Sequence, residues 1–190
     1  MIVLGIDPSL RMTGLVLAEA TENGITVINV ATSETRPHDK GLKGREYERD
    51  VMVRAAYLFQ NIRNFVFPLN LNAIICESVP FARGWKSGVA SNALKGMVGA
   101  VASELCYDFE SIHLVDPKQV KLDTDSGKAF INKYREIING AEHKSKDHVL
   151  AFFLENAKSK TGSFELDYNR AQYEAVADAY GVIHSWWINR

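Results

Sequence analysis

The sequence predicts an α/β fold built on a mixed sheet, and two observations indicate it. Three short segments rich in apolar and β-branched residues come first, at positions 2–6, 14–18 and 25–30, with Asn23 and Gly24 as a hairpin signal between the last two. Strand and helix patterns then alternate along the chain. We therefore expect three antiparallel strands, then two further strands, with helices on both faces of the sheet.

The later elements follow from apolar spacing and from turn residues. Apolar residues three and four apart predict a helix over 46–65, and the buried run that follows predicts a strand ending at Glu77. A loop containing Gly84 and Gly88 then leads to a helix of small residues at 91–107. The remaining predictions are a strand at 111–115, a helix with Pro117 in its first turn, and helices at 129–138, 146–156 and 170–187.

Length and composition restrict the class of protein. The chain has 190 residues, which predicts a single domain over 1–190, and its net charge of -1 argues against binding polyanions by bulk charge. Any nucleic-acid contact therefore needs clustered basic residues. Cys76 and Cys106 lie in apolar surroundings without a signal peptide ahead of them, so we expect reduced core thiols in a cytoplasmic protein. No apolar run reaches membrane-spanning length, so no membrane anchor is expected.

Acidic residues stand at the points where a metal site would be built. Asp7 and Glu77 each follow a buried strand, and a charge at such an edge is costly unless it is paired or bound to metal. Glu174 and Asp178 are one helical turn apart on the last helix, and small apolar residues surround Asp178. Each acid also has a simpler interpretation when it is taken alone. Asp7 fits an aspartate that forms a turn, and Glu77 fits an ion-pair partner at a strand end. Glu174 and Asp178 fit a solvated helix face. Together they form a set suited to Mg²⁺, which prefers oxygen ligands.

Basic residues cluster in the predicted loops and turns beside these acids. Such residues hold DNA phosphates without reading sequence, so we expect salt-sensitive DNA binding. Phe81 and Trp85 alternate with two of them, which suits a loop that stacks on bases or wedges them open, although a solvated flexible loop remains the alternative. The candidate DNA contacts are Arg11, Phe81, Arg83, Lys86, Lys118, Lys121 and Lys144, with Lys146 beside them.

Several motifs, in order along almost the whole chain, resemble those of the RuvC-type Holliday-junction resolvases, which are ribonuclease H-like nucleases. The stretch "GIDPSLRMTG" is similar to the first family motif, and "AIICESVPFARG" is similar to the second. The stretches "VDPKQVK" and "KSKDHV" resemble the lysine motifs, and "EAVADAYGV" resembles the C-terminal metal motif. The resemblance implies a ribonuclease H-like fold with a five-stranded mixed sheet.

The resemblance also implies roles for individual residues. Asp7 would bridge two metal ions, Glu77 would bind one of them, and Asp178 would complete the site. Lys121 and Lys146 match lysines that contact phosphate near the cleaved bond, and we place Lys146 among the catalytic residues. The chain departs from the family at two positions. Ala175 stands where the family has a second acid, so we assign that role to Glu174, and Pro80 stands at the wedge-aromatic position, with Phe81 next.

The function implied by the resemblance is resolution of four-way DNA junctions by paired nicks, through two-metal phosphodiester hydrolysis with Mg²⁺, for which Mn²⁺ can substitute. Symmetric cutting implies a homodimer, and the helix around Gly96, Gly99 and Ala100 is the expected interface. Inserted polar residues between Lys121 and Lys146, which include the acidic Asp123 and Asp125, suggest a phage or mobile-element protein acting in the host cytoplasm. The alternatives are a less selective fork or flap endonuclease, a non-catalytic junction-binding protein, and a sugar-kinase or actin-like ATPase. The length argues against the last, because those folds need a duplicated domain of this type and the sequence shows one copy.

Overall fold

The computed structural model describes residues 1–78, 84–106, 109–124, 145–159 and 168–190. The predicted antiparallel start is confirmed by β1 (Ile2–Asp7), β2 (Met12–Thr21) and β3 (Gly24–Glu34), which pair in chain order. Gly24 has a φ of 141°, a backbone conformation that L side chains rarely adopt. The hairpin signal therefore marks the β2–β3 turn correctly.

Two further strands extend the sheet beyond β1. The strands β4 (Ala73–Glu77) and β5 (Ile112–Val115) are parallel to each other, and β4 is parallel to β1. All five predicted strands are thus present in one mixed sheet. A sixth strand of two residues, β6 (Lys158–Ser159), pairs with β3 and gives the order β5-β4-β1-β2-β3-β6.

Helices cover both faces of this sheet, as predicted. They are α1 (Gly44–Val66), α2 (Trp85–Leu105), α3 (Pro117–Asp123), α4 (Ser145–Asn156) and α5 (Arg170–Ile188). Helices α1 and α2 pack on one face, which we call the α1/α2 face. Helix α5 packs on the opposite face, together with α3 and α4, and we call this the α5 face. The helix predicted at 129–138 lies outside the described residues.

Alternation along the strands divides the core into two layers. In β1, Leu4 and Ile6 belong to the core on the α1/α2 face, whereas Val3 belongs to the core on the α5 face. In β4, Ile74 and Cys76 point to the α1/α2 face, and Ile75 points to the α5 face. This alternation therefore determines toward which face of the sheet the side chain of each strand's last residue points.

Helix α2 begins earlier than the sequence indicated. Trp85 and Lys86 were expected in a loop, but they form the first turn of α2, and Gly88 lies within the helix. The physical reason is that Gly84, immediately before, has a φ of 121°, a conformation that ends a loop and does not continue a helix. Among the described residues, no helix is long and apolar enough to cross a membrane.

Candidate active site

The carboxylates Asp7 and Glu77 come from the ends of two adjacent parallel strands. The β1–β4 register pairs Ile6 with Cys76, so Asp7 and Glu77 each follow one member of that pair. Side chains alternate between the two faces along a strand, and both acids lie an even number of residues from neighbours in their strands that face α5. The sheet therefore presents both carboxylates at one edge and on one face.

Helix α5 approaches the sheet unusually closely beside these acids. A Cβ added at Gly14 would lie 1.8 Å from the carbonyl oxygen of Ala175, and one added at Gly5 would lie 2.5 Å from that of Ala179. Real Cβ atoms essentially never come within 3.0 Å of another heavy atom, so only glycine fits at these two positions. This contact of backbone on backbone brings Asp178, between the two alanines, to the ends of β1 and β4.

The acids open into one cleft of about 490 Å³. Its lining includes six of the residues singled out from the sequence: Asp7, Arg11, Glu77, Lys121, Glu174 and Asp178. The other lining residues are Ser9, Met12, Pro117, Val120, Val149, Ala171 and Ala175. Tertiary packing therefore gathers residues from β1, the β1–β2 turn, β4, α3 and α5 around a single space, with acidic and basic side chains together.

The turn after Asp7 is fixed by hydrogen bonds. The Thr13 hydroxyl donates to the Ser9 carbonyl at 2.8 Å, which closes the turn between β1 and β2. The Leu10 carbonyl accepts from the Thr35 hydroxyl and, at 2.8 Å, from Nη2 of Arg54. Arg54 thus braces this turn from α1. The turn that carries Arg11 is therefore attached both to Thr35, the residue after β3, and to α1.

Glu174 takes part in an ion-pair network that the sequence analysis missed. Nε of Arg170 donates to Glu174 Oε1 at 2.8 Å, and Nη2 of Arg170 donates to Asp147 Oδ1 at 2.7 Å. The hydrogen bond to Glu174 is the main cause that raises the pKa of Arg170 above its ordinary value. The spacing of four between Arg170 and Glu174 was a visible signal. No short-range spacing indicated the pairing of Arg170 with Asp147, because Asp147 lies on another helix.

The strand-end acids also affect a thiol on the opposite face. Burial, together with smaller contributions from the negative charges of Asp7 and Glu77, raises the pKa of Cys76 to about 12. Cys76 is buried beneath α1 and α2, and its thiol donates to the Glu77 carbonyl at 3.3 Å. The end of the sheet thus carries concentrated negative potential that favours a cation in the cleft.

The donor chemistry of the cleft fits hard divalent ions. Carboxylate oxygens on β1, β4 and α5 line one space, and Mg²⁺ prefers oxygen ligands of this kind. Within the part of the chain that the structure describes, however, no three His, Cys, Asp or Glu side chains converge as a ready-made metal group. Glu174 forms an ion pair with Arg170 within this lining.

The predicted DNA contacts differ in their position relative to the cleft. Arg11 and Lys121 line the cleft and are exposed. Lys118 is exposed on α3, where its backbone N–H donates to the capping Asp116 at 2.8 Å, but it does not line the cleft. Lys146 lies in the first turn of α4, of which only the backbone is described at that position. Phe81, Arg83 and Lys144 lie outside the described residues.

Lys86 contacts the start of α1. Its Nζ donates to the Leu42 carbonyl at 3.1 Å and lies 5.0 Å from the centroid of the Tyr47 ring. The Tyr47 hydroxyl donates back to the Lys86 carbonyl at 3.2 Å, and the Tyr47 ring centroid lies 5.7 Å from that of Trp85. These contacts anchor the first turn of α2, so the mobile-loop interpretation of Trp85 and Lys86 is wrong.

Comparison with known proteins places this architecture. No family model matches the chain. Among curated proteins, the crossover junction endodeoxyribonuclease RuvC of Dictyoglomus turgidum is 24% identical over 139 residues, which are 73% of this chain and 80% of that protein. This likeness spans most of both chains, although the identity is low.

Solved structures agree with the fold predicted from the motifs. T. thermophilus RuvC in complex with Holliday junction substrate matches with a TM-score of 0.60 and 16% identity, over 100% of this chain and 96% of that one. Fowlpox virus resolvase in complex with substrate Holliday junction DNA matches with a TM-score of 0.53 and 11% identity, over 100% and 98%. The chain therefore has the ribonuclease H-like fold of the RuvC-type resolvases, as its sequence motifs predicted.

Proposed function

We propose that this protein is a metal-dependent DNA endonuclease that resolves four-way junctions by paired nicks. The observation that carries the proposal is that Asp7, Glu77, Glu174 and Asp178 all line one cleft, in a fold shared with junction resolvases. Carboxylates arranged around a cleft with basic residues at its side suit hydrolysis of a phosphodiester. We further propose that residues 1–190 form one nuclease domain.

The four carboxylates would hold two divalent ions, with Mg²⁺ as the proposed metal and Mn²⁺ as its substitute. When bound, such ions activate the attacking water and stabilise the leaving oxygen of the phosphodiester. Asp7 lines the cleft together with Glu77 on the neighbouring strand and Asp178 on α5, so it is the proposed bridging ligand. Glu174, one helical turn before Asp178, completes the acidic lining. It takes the place of the second acid that the family has at the position of Ala175.

The basic residues position the DNA backbone. Lys121 lines the cleft from α3 and Arg11 lines it from the β1–β2 turn, so phosphates entering the cleft meet cations from two sides. Lys146 lies in the first turn of α4, the helix whose Val149 lines this space, and is the proposed catalytic lysine. Phe81 and Arg83 remain proposed junction contacts on the segment after Glu77. Binding by such contacts weakens as salt rises, because phosphate neutralisation releases counterions.

Paired nicks require two active sites related by a two-fold axis, so the proposed active form is a homodimer. Gly96, Gly99 and Ala100 on α2 are exposed, and a Cβ at either glycine would meet nothing within 4 Å. Met52 and Tyr57 on the adjoining α1 are also exposed, at 68% and 55%. This small-residue and apolar surface is the proposed contact between the two copies.

The decisive experiment compares wild type with Asp7→Asn on a labelled synthetic four-way junction in Mg²⁺, with linear duplex and fork DNA as substrate controls. Asp39→Asn is the matched control, because Asp39 is an exposed loop aspartate whose carboxylate accepts from the Gly41 N–H at 2.8 Å. We expect paired nicks near the crossover from wild type and Asp39→Asn, and a loss of more than about 100-fold in Asp7→Asn with junction binding retained.

Other outcomes select the alternatives. Equal cutting of forks and four-way junctions identifies a broader branched-DNA endonuclease. Junction binding without cleavage by any of the proteins identifies a non-catalytic junction-binding protein. Light scattering on the junction complex tests the dimer, and a single copy bound per junction contradicts paired cutting.

A further inference from the structure

Arg170 lies in the first turn of α5, where a positive charge is unfavourable unless nearby carboxylates compensate for it. Helix α5 begins at this residue, because Asn169 and Gln172 form a reciprocal capping box at 3.1 and 3.0 Å. The first turn of a helix carries a partial positive charge and disfavours cations. The carboxylates of Asp147 and Glu174, at 2.7 and 2.8 Å, compensate for this placement.

Asp147 anchors the network from the protein interior. Its side chain has no solvent exposure, whereas the side chains of Arg170 and Glu174 are 28% and 21% exposed. A buried carboxylate is retained only where its charge is compensated, and the contact with Arg170 provides that compensation. The guanidinium is therefore held from the buried side and presents its Nε edge to Glu174 on the cleft side.

The planar guanidinium joins the two carboxylates in a fixed geometry. Nε and Nη2 donate to different acids, so the orientation set by Asp147 fixes the direction from which Glu174 is held. Hydrogen-bond partners of metal-binding carboxylates control ligand orientation and affinity in this way. Asp147 directly follows Lys146, so the same network attaches the first turn of α4 to the acidic lining of the cleft.

We propose that Arg170 is a positioning residue that, anchored by Asp147, orients Glu174 for metal binding. This inference rests on the proposed function, because it assigns Arg170 a role in the same metal site. Arg170 acts through Glu174 and not on the DNA, so its effect disappears when Glu174 can no longer bind metal.

The test is titration of Mn²⁺ into the 190-residue protein without DNA, with free Mn²⁺ followed by electron paramagnetic resonance. The proteins are wild type, Arg170→Lys, Glu174→Gln and the double variant, with thermal unfolding as a check of folding. We expect Arg170→Lys to weaken Mn²⁺ binding by about tenfold, because one ammonium cannot reproduce the two directed contacts. The double variant should bind no more weakly than Glu174→Gln alone.

Two further variants make each outcome decisive. Arg36→Lys is the matched control, because Arg36 forms an ion pair with Glu34 at 3.2 Å on the exposed surface, and we expect unchanged binding. Asp147→Asn removes the buried charge while leaving Arg170 in place, and we expect weaker Mn²⁺ binding in the same direction. It also tests the network if Arg170→Lys does not fold.

Failure of this inference is distinguishable from failure of the proposed function. If Asp7→Asn weakens Mn²⁺ binding while Arg170→Lys and Asp147→Asn bind as well as wild type or better, Arg170 does not position a ligand. Additive losses in the double variant contradict action through Glu174. If Asp7→Asn also leaves Mn²⁺ binding unchanged, the metal site itself is wrong, and with it the proposed function.

Discussion

The two faces of the sheet are packed in different ways. On the α1/α2 face, bulky side chains such as Leu4, Ile6 and Leu58 are fully buried and separate the helices from the strands. On the α5 face, Gly5 and Gly14 let the backbone of α5 lie directly on β1 and β2. The first face is a side-chain core, and the second is a backbone contact beside the candidate active site.

This difference separates stability from site geometry. Bulky apolar burial is the main favourable term in folding, and it tolerates small rearrangements of the helices that provide it. A backbone contact has little freedom, so the position of Asp178 relative to Asp7 and Glu77 depends on single glycines. Substitutions on the two faces should therefore affect different measurements.

The largest effect is expected for Gly14→Ala. The new Cβ, 1.8 Å from the Ala175 oxygen, forces α5 away from β2 by more than about 1 Å. Misplacement on this scale lowers rates by about 100-fold, and the overpacking costs about 1–3 kcal/mol of stability. Junction cleavage and urea unfolding measure the two effects. Wild-type cleavage by a folded Gly14→Ala protein contradicts the claim that this contact sets the site.

The next effect is expected on the other face, for Leu58→Ala. Leu58 is fully buried on α1, so its truncation leaves a cavity and should lower the free energy of unfolding by about 2–5 kcal/mol. The folded fraction should keep the wild-type cleavage rate, because α1 provides no carboxylate to the cleft. Urea unfolding gives the first quantity, and cleavage at a temperature where the variant is folded gives the second. A large loss of cleavage per folded molecule shows that the two faces are not independent.

A smaller effect, dependent on pH, is expected for Cys76, which lies on the α1/α2 face at the end of β4. Its thiol has a pKa of about 12 in the folded protein against 9.0 for the free group, so above pH 9 the unfolded state loses the proton first. The contribution of the Cys76 thiol to the free energy of unfolding is therefore fully present below pH 9. It falls by up to about 1.4 kcal/mol per pH unit as the pH rises toward 12. Cys76→Ala should flatten the decline in unfolding free energy between pH 9 and 11. The same slope in both proteins rules out this assignment.

The smallest effect is expected for Gly88→Ala, the matched control for Gly14→Ala. A Cβ at Gly88 meets nothing within 4 Å, and the residue lies within α2. Alanine should raise stability by about 0.5–1 kcal/mol through helix propensity, without loss of cleavage. Thermal unfolding and the junction assay check both statements. Destabilisation here would show that glycine is needed at Gly88 for a reason other than space.

Local signals explain how much of the fold could be predicted. The Asn23-Gly24 hairpin, the strand ending at Glu77 and the spacing of Glu174 and Asp178 depend on residues close in sequence, and each appears where expected. The start of α2 was not predicted correctly, because it depends on the positive φ of Gly84, and the sequence alone does not reveal that backbone angle. The two-residue β6 was missed because its pairing with β3 depends on tertiary position.

By itself, the sequence determined the local geometry of the candidate site: two strands that end in acids and a helix with two acids on one face. Tertiary structure alone decided that these elements meet, because the approach of α5 depends on glycines more than 150 residues away along the chain. It also decided the partner of Arg170, since Asp147 lies 23 residues away on another helix. Periodicity reports which face a residue occupies, whereas contact between faces depends on the packing of the whole chain.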